Sequence, residues 1–383
     1  MNSKIIGIVI IVIAIGGAST YFLTKNDSDG SSFSNETIPQ NEKIGLVINT
    51  ITPPKSIDDI EDAYKVASTS GAGRTNLYVH WSQLEPEKGS FDWTTTDLIM
   101  KLNDKYNFKT TLFFSVINAD RLGPFPSWMG NQALGESLES ETIRVLDAIL
   151  SRYDNIDYVI FAGDIDYHFQ RASGSIPLYT DFFENIYSKI KSNHPDVKIG
   201  NSLSLENVIN KQMYPGGSFE LTPQLEMGDF IALSYKPTDI VGDIMRTSDA
   251  TPTGFDSIWP AIDDFEKALD IFPNNPIAFF EISWSTSDFV NGNENDQEQF
   301  VELSLNFFEE NESKIEFLTF SRLFDKPVGT CVSADIEKIS GSGFASNSYR
   351  LERADQYLCN SGLIDINGNA KPAWYKLKEN IPQ

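Results

Sequence analysis

Histidine and cysteine are scarce in this chain: 383 residues hold three of the first and two of the second. No His pair has H-E-x-x-H spacing and no cysteine cluster exists, so a catalytic zinc has no support, and neither a metal nor a cofactor is expected. A Ser-His-Asp triad lacks its G-x-S-x-G elbow. No phosphate-binding glycine fingerprint follows the first apolar run, which argues against a dinucleotide-binding fold. Positive charge is also short. Lys and Arg number 30 against 54 Asp and Glu, a net charge of −24. The basic residues form no cluster, which excludes nucleic acid as a partner. Acidity of this size fits a neutral or cationic partner, or an exterior where salt screens the repulsion.

What is present begins with export. Lys4 precedes an uncharged, mostly apolar run of 19 residues from Ile5 to Leu23. As a helix it reaches about 29 Å, close to the hydrocarbon thickness of a bilayer. Residues 1–23 therefore read as a transmembrane anchor or a signal peptide, with Gly17-Ala18-Ser19 offering small residues for cleavage. Lys4 stays in the cytoplasm, so the remainder is expected on the outer face of the cell membrane, or secreted. Residues 24–42 are polar and rich in Ser, Asn and Asp, a flexible linker. N-x-Ser/Thr triplets at Asn26, Asn35 and Asn311 permit glycosylation in that compartment. Outside the cell Cys331 and Cys359 are expected to pair, the alternative being two separate buried thiols.

From residue 43 to 383 the chain is expected to form one domain. Short apolar runs rich in β-branched and aromatic residues occur at 43–50, 75–81, 109–117, 157–163, 198–204, 229–235, 276–282 and 315–321. Amphipathic stretches separate them, for example 57–69, 136–152, 178–193, 259–272 and 296–310. Strands alternating with helices demand a parallel sheet. Eight such strands predict an α/β fold of the (β/α)8 TIM-barrel type. Chemistry in that fold sits at the C-terminal strand ends. The second run ends in His80-Trp81, the third runs into Asn118, the fourth into Gly163-Asp164-Ile165-Asp166-Tyr167-His168, and the sixth ends in Tyr235. Glu281 stands inside the apolar IAFFEISW, where a charge is costly unless used or paired.

These residues resemble the retaining glycoside hydrolases of clan A, which are (β/α)8 barrels. YVHWSQLEPEKGSFDW (78–93) is similar to the second-strand signature of β-galactosidase, xylanase and galactanase relatives. PIAFFEISWSTS (276–287) resembles the seventh-strand motif whose Glu is the nucleophile. DFIALSYKP (229–237) resembles the sixth-strand motif whose Tyr neighbours it, and GLIDINGNAKPAWYKLKE (362–379) a common C-terminal ending. The family's fourth strand ends in Gly-Asn-Glu. Here Asp164 takes the place of the acid/base Glu, and Gly163 that of the Asn that holds the sugar. The eighth strand, LTFSRLFD, lacks the family's Trp platform, with Phe320 or Ser321 near its place.

The resemblance implies Glu281 as nucleophile, Tyr235 as its orienting neighbour and Asp164 as acid/base. Retaining hydrolysis needs two carboxyls about 5–5.5 Å apart, and Asp is a methylene shorter than Glu. Aromatic rings beside hydroxyl-binding groups suit a sugar cleft. His80, Trp81, Asn118, Trp128, Asp166, His168 and Trp284 are the candidates for substrate binding. Trp259 and Trp374 lie on helix-like stretches and are expected in the core. The expected partner is a β-linked carbohydrate, with the membrane engaged through residues 5–23. The acidity disfavours polyanionic glycans and leaves neutral or basic ones. A rival reading is a catalytically degenerate barrel that binds glycans at the cell surface.

Overall fold

The structure, a computed structural model, describes residues 39–119, 121–209, 218–237, 259–332 and 348–382. The segments 1–23 and most of 24–42 lie outside the described residues. Among the described residues no helix is long and apolar enough to cross a membrane.

Eight strands close into a barrel: β1 (Asn41–Leu46), β2 (Ala72–Tyr78), β3 (Lys109–Phe113), β4 (Ile156–Ala162), β5 (Lys198–Ser204), β6 (Phe230–Tyr235), β7 (Ile277–Ile282) and β8 (Ile315–Phe320). Each pairs in parallel with its sequence neighbour, and β1 pairs with β8 to complete the ring. The (β/α)8 architecture expected from the eight apolar runs is therefore present. Two strand ends fall short of their apolar runs. The second run stops at Tyr78, and Trp81 opens a short helix, α2 (Trp81–Leu84). The third stops at Phe113, and Ile117–Asn118 pairs instead with Arg121–Leu122 as an antiparallel ribbon.

Helices fill the connections: α1 (Ile57–Ala67), α3 (Thr94–Lys105), α4 (Glu136–Arg152), α5 (Ile165–Ala172), α6 (Ile176–Asn193), α7 (Leu205–Ile209), α8 (Ser218–Leu225), α9 (Trp259–Ile271) and α10 (Glu294–Glu310). Near the C-terminus follow α11 (Ser348–Cys359) and α12 (Pro372–Asn380). Local chemistry starts them as the sequence dictates. Ser56 and Asp59 form a capping box on α1, and the Asn293 side chain accepts from Asp296 N at 2.9 Å to begin α10. Apolar helix faces cover the outer surface of the barrel, as with Phe161 of β4 against Phe182 and Phe183 of α6.

The barrel interior is packed with side chains. Tyr158, Ile160, Phe230, Ala232, Ala278, Phe280 and Phe317 form one cluster, with Tyr78 and Phe113 above them. Its N-terminal end is closed by charge. Arg74 meets Asp157 through two bonds of 2.5 and 2.7 Å and lies over the Tyr158 ring at 4.6 Å, while Glu316 accepts from Tyr158 and Lys198 at 2.6 Å each. Only the C-terminal face is left for ligands, which is where this fold keeps its chemistry. Cys331 and Cys359 form a disulfide with Cα atoms 5.6 Å apart, the pairing expected from the sequence over two separate thiols.

Candidate active site

Glu281 enters the barrel through an irregularity in β7. Leu233 of β6 pairs with Phe279, yet the next residue, Ser234, pairs with Glu281. Against β8, Leu318 pairs with Phe279 and Phe320 with Ile282. Strand β7 thus holds one extra residue against both neighbours, a bulge that re-aims a side chain. Phe280 faces inward, stacked on Phe113 with ring centroids 5.6 Å apart. Glu281 also turns inward, and its Oε1 accepts a hydrogen bond from the Tyr78 hydroxyl. Its Oε2 accepts from Lys236 Nζ at 2.6 Å. Burial works to raise the Glu281 pKa, but the charge and hydrogen bond of Lys236, the Tyr78 hydroxyl and the charge of Arg322 outweigh it. The carboxyl is held below the usual glutamate range, the state a nucleophile requires.

Tyr235, expected beside that carboxylate, occupies the other face of β6. Ser234 points inward, so period-two alternation sends Tyr235 out toward the helices. There its hydroxyl donates to Asp264 of α9 at 3.0 Å, and its ring packs on Phe265 and Phe300. The hydroxyl that meets Glu281 belongs to Tyr78, whose position at the inward end of β2 no motif revealed.

The fourth strand ends at the same height. Asp164 adopts the left-handed region with φ 47°, which Asp tolerates better than most residues, and starts α5. Its Oδ1 accepts from Ser202 of β5 at 2.8 Å and from Ser234 of β6 at 2.9 Å. The serine that meets Asp164 is thus the one that pairs with Glu281 in the sheet. A larger residue at Gly163 would force a shift there. A Cβ on it would stand 2.7 Å from Phe113 Cζ, so Phe113 fills the space of the family's Asn. The amide of Asn118 lies beside that space, its Oδ1 3.4 Å from the same Cβ position.

Asp166 and His168 follow Asp164 on α5. Asp166 is fully buried, accepting from Ser204 N at 2.9 Å and from the Asn207 amide, which ties α5 to the end of β5. Burial and the charge of Asp164 push its carboxyl up to about 7. His168 stands on α5 with its ring edge-on to Phe169.

A third carboxyl joins the site without having been anticipated. Glu206, two residues past β5, accepts from Lys236 N at 2.8 Å and from Ser204 Oγ at 3.2 Å. Burial, with a contribution from Asp164, pushes it up to about 7, so Glu206 is protonated where Glu281 is ionised. In sequence it reads as an acidic residue in the first turn of α7, an ordinary surface role. Only the approach of Lys236 and Asp164 makes it otherwise.

The aromatic candidates divide between framework and rim. Trp81 is buried against Phe114 and Phe125, and its indole donates to Glu85 Oε2 at 2.9 Å. Glu85, fully buried, also takes two bonds of 2.6 and 2.7 Å from Arg144 and one of 2.6 Å from Gly89 N. The second-strand signature therefore builds a girder between α2, the following turn and α4. Trp128 hangs on the same girder, donating to Glu85 O at 3.0 Å with Lys88 over its ring at 5.4 Å. Trp284 is buried against Phe300 of α10. Trp374 is buried too, as expected of a core residue.

A cavity of about 330 Å³ opens beside Glu281. Its walls include Asn49, Asn76, Tyr78, His80, Lys236, Arg322 and Lys326. This size falls in the range of roughly 300–1,000 Å³ usual for small-molecule sites. His80 thus lines the cavity while its neighbour Trp81 does not. The loop after β8, which carries Arg322 and Lys326, is clamped by the C-terminal ending. Leu363 N donates to Arg322 O at 3.1 Å, Lys326 N to Cys359 O at 2.9 Å, and Lys371 Nζ meets Asp325 at 2.7 Å.

No protein-family profile matches the chain, and no curated protein matches it. Solved structures do. A GH5_18 protein from Streptomyces cattleya in complex with Manβ1-4GlcNAc aligns at TM-score 0.61 and 11% identity, covering 88% of this chain and 80% of that one. A family 39 glycoside hydrolase from Bacteroides cellulosilyticus WH2 aligns at 0.55 and 14%, over 89% and 63%. A psychrophilic family 10 endo-β-1,4-xylanase aligns at 0.55 and 16%, over 88% and 96%. The chain shares the closed parallel barrel of these clan A glycoside hydrolases, the fold its motifs resemble.

Proposed function

We propose that the protein is an exported or membrane-anchored glycoside hydrolase that cleaves a β-linked oligo- or polysaccharide with retention. The observation that carries this is Glu281, turned into the barrel by the β7 bulge and held ionised by Lys236 and Tyr78. Glu281 attacks the anomeric carbon, and the bond to the leaving oxygen breaks as that oxygen takes a proton. The glycosyl–Glu281 ester is then hydrolysed by a water whose proton returns to the acid. The acid position is shared by Asp164 and Glu206, with one proton between them. Glu206 holds a proton up to about pH 7, and the charge of Asp164 helps to keep it there.

We assign hydroxyl binding to Asn118 and His80 and a sugar-stacking role to Trp128; of the three, His80 lines the cavity beside Glu281. The ligands of the structural neighbours, including Manβ1-4GlcNAc, agree with a β-linked saccharide. The chain's net charge of −24 argues for a backbone that is neutral in the main. Export rests on Lys4 and the apolar run 5–23, and the disulfide agrees with it.

A second reading has one specific observation behind it. Phe113 occupies the space of the sugar-holding Asn, as it would in a barrel that keeps glycan binding and has lost turnover. Release of aryl β-glycosides by the full chain separates the two. The hydrolase reading expects turnover that Glu281→Gln abolishes and that Asp164→Asn or Glu206→Gln reduces. Glycan binding with no turnover, or rates unchanged in all three variants, refutes it.

A further inference from the structure

Asn76 and Tyr78 lie two residues apart on β2 and share its inward face. Both line the cavity beside Glu281. Asn76 is 8% exposed, and the supply of protons around it fixes the orientation of its amide. The Tyr78 hydroxyl gives its one hydrogen to Glu281, so toward its other neighbour it can only accept. Asn76 accordingly turns its Nδ2 to Tyr78, at 3.2 Å. Its Oδ1 is left buried with no hydrogen-bond partner among the described residues. A buried carbonyl oxygen in that condition calls for an explanation.

A donor in the matching condition stands nearby. Arg322 follows the end of β8, which only β1 separates from β2 in the ring. It lines the same cavity, and its Nε is likewise buried with no hydrogen-bond partner among the described residues. Its charge acts on both Glu281 and Tyr78. The Tyr78 hydroxyl is thus the common neighbour of the Asn76 amide, the Arg322 guanidinium and Glu281. One acceptor and one donor are what a single alcohol satisfies, since a hydroxyl both gives and takes a hydrogen bond. On a sugar whose anomeric carbon faces Glu281, the hydroxyl next to that carbon is the one at C-2. Retaining hydrolysis draws on a contact to this group that strengthens in the transition state. The end of β4 is not open to make it, because Phe113 fills the space beside Gly163.

We propose that Asn76 and Arg322 read the sugar at C-2: Asn76 Oδ1 accepts from the 2-hydroxyl, and Arg322 Nε donates to its oxygen. The substrate is then a sugar with a free hydroxyl at that carbon, and each buried atom gains the partner it lacks. Away from bulk water such bonds are stronger than at a surface. A contact that tightens as the glycosidic bond breaks contributes to kcat more than to KM. The inference rests on the glycosidase reading for the seat of the anomeric carbon at Glu281, and on nothing about the acid.

Glucose and mannose differ only in configuration at C-2, and removing that hydroxyl turns both into the same 2-deoxy sugar. The full chain is assayed on the 4-nitrophenyl β-glycosides of all three. The better of the two hydroxylated substrates should exceed the deoxy one by about a hundredfold or more in kcat/KM, mostly through kcat. A 2-deoxy sugar forms its oxocarbenium ion more readily, so a slower deoxy substrate reports a lost contact and not harder chemistry. Asn76→Leu should shrink the ratio by about tenfold or more, the worth of a buried hydrogen bond. Arg322→Met should shrink it too, and keeps the test decisive if Asn76→Leu fails to fold. A change in the ionisation of Glu281 slows all three substrates alike and leaves the ratio in place. Equal rates with and without the hydroxyl, or a ratio that survives both replacements, overturn the inference and leave the hydrolase reading standing. If none of the three is cleaved, binding of their methyl β-glycosides to the full chain decides. A preference for the 2-hydroxyl that Asn76→Leu or Arg322→Met erases keeps the contact and removes the hydrolase reading, and its absence removes both.

Discussion

Lys236 Nζ lies 2.6 Å from Glu281 Oε2, and the backbone N–H of the same lysine donates to Glu206 at 2.8 Å. One residue at the end of β6 therefore grips the carboxylate proposed as nucleophile and a carboxyl that carries a proton. Two nearby acids with separated pKa values are what an acid–base division of labour requires. Lys236→Met should raise the Glu281 pKa, because burial then acts with only Tyr78 and Arg322 opposing it. Activity needs the ionised form, so the acidic limb of the kcat/KM profile should move to higher pH. The rate at pH 6 should fall by about a hundredfold, the scale of losing one well-placed charged partner. An acidic limb that stays in place refutes the role given to Lys236.

The alkaline limb tests the acid. Glu206 loses its proton near pH 7, so kcat/KM should decline as pH rises through about 7. Asp164→Asn removes a charge that raises Glu206, and the alkaline limb should move to lower pH. Glu206→Gln should remove the limb, with activity falling by about 10²–10⁴-fold, the usual worth of general acid catalysis. A profile unchanged in both variants would show that neither carboxyl transfers the proton.

Much of the fold was legible because burial writes a period into sequence. Eight apolar runs and the helices between them appeared within a few residues of their observed places. Glu281 stood out because a carboxylate in an apolar strand must be used or paired. The rest of its surroundings was hidden by strand phase. Tyr235 and Ser234 differ by one position, and alternation alone decides which faces the axis. Tyr78, Lys236 and Arg322 reach Glu281 across three strand ends, a convergence that local pattern does not encode. The second-strand signature misled for another reason. Its Trp81 is fixed by hydrogen bonding to the buried Glu85, so the motif marks a girder and not a sugar platform.

Gly163 gives a stability prediction. Restoring the family's Asn there would place a Cβ 2.7 Å from Phe113 Cζ, closer than real contacts permit. Gly163→Asn should destabilise by about 1–3 kcal/mol through overpacking. Combining it with Phe113→Ala should recover part of that loss, since the colliding ring is gone. Chemical denaturation of the two variants checks this, and additive losses would refute the steric account.

The disulfide should support the loop that presents Arg322 and Lys326. It closes a sequence separation of 28 residues, and Lys326 N bonds to Cys359 O. The paired change Cys331→Ser and Cys359→Ser should cost about 3–4 kcal/mol in the chain-entropy account. The KM for an aryl β-glycoside should rise as well, because Arg322 and Lys326 lose their fixed positions on the cavity wall. An unchanged KM would place the effect on global stability alone.

Stability itself should fall as pH rises toward neutrality. Asp166 and Glu206 are raised to about 7 and Asp325 to about 6, in each case chiefly by burial. In the unfolded chain such groups ionise near pH 4. Between that value and their folded pKa the native state holds protons that the unfolded state has released. The unfolded state then binds fewer protons, so the slope of unfolding free energy against pH is negative. Stability from these groups is complete below about pH 4 and is lost by about pH 7. Other carboxylates pull the opposite way at the acid end. Glu281 and Asp97 are lowered, so their contribution is present above the unfolded carboxylate range and is lost as pH falls through their folded values. The melting temperature should therefore peak near pH 5 and drop by several degrees by pH 8. Glu206→Gln should flatten the decline, because glutamine at that position stays neutral in both states. A melting temperature that rises from pH 5 to 8 would refute the protonated state given to Asp166 and Glu206.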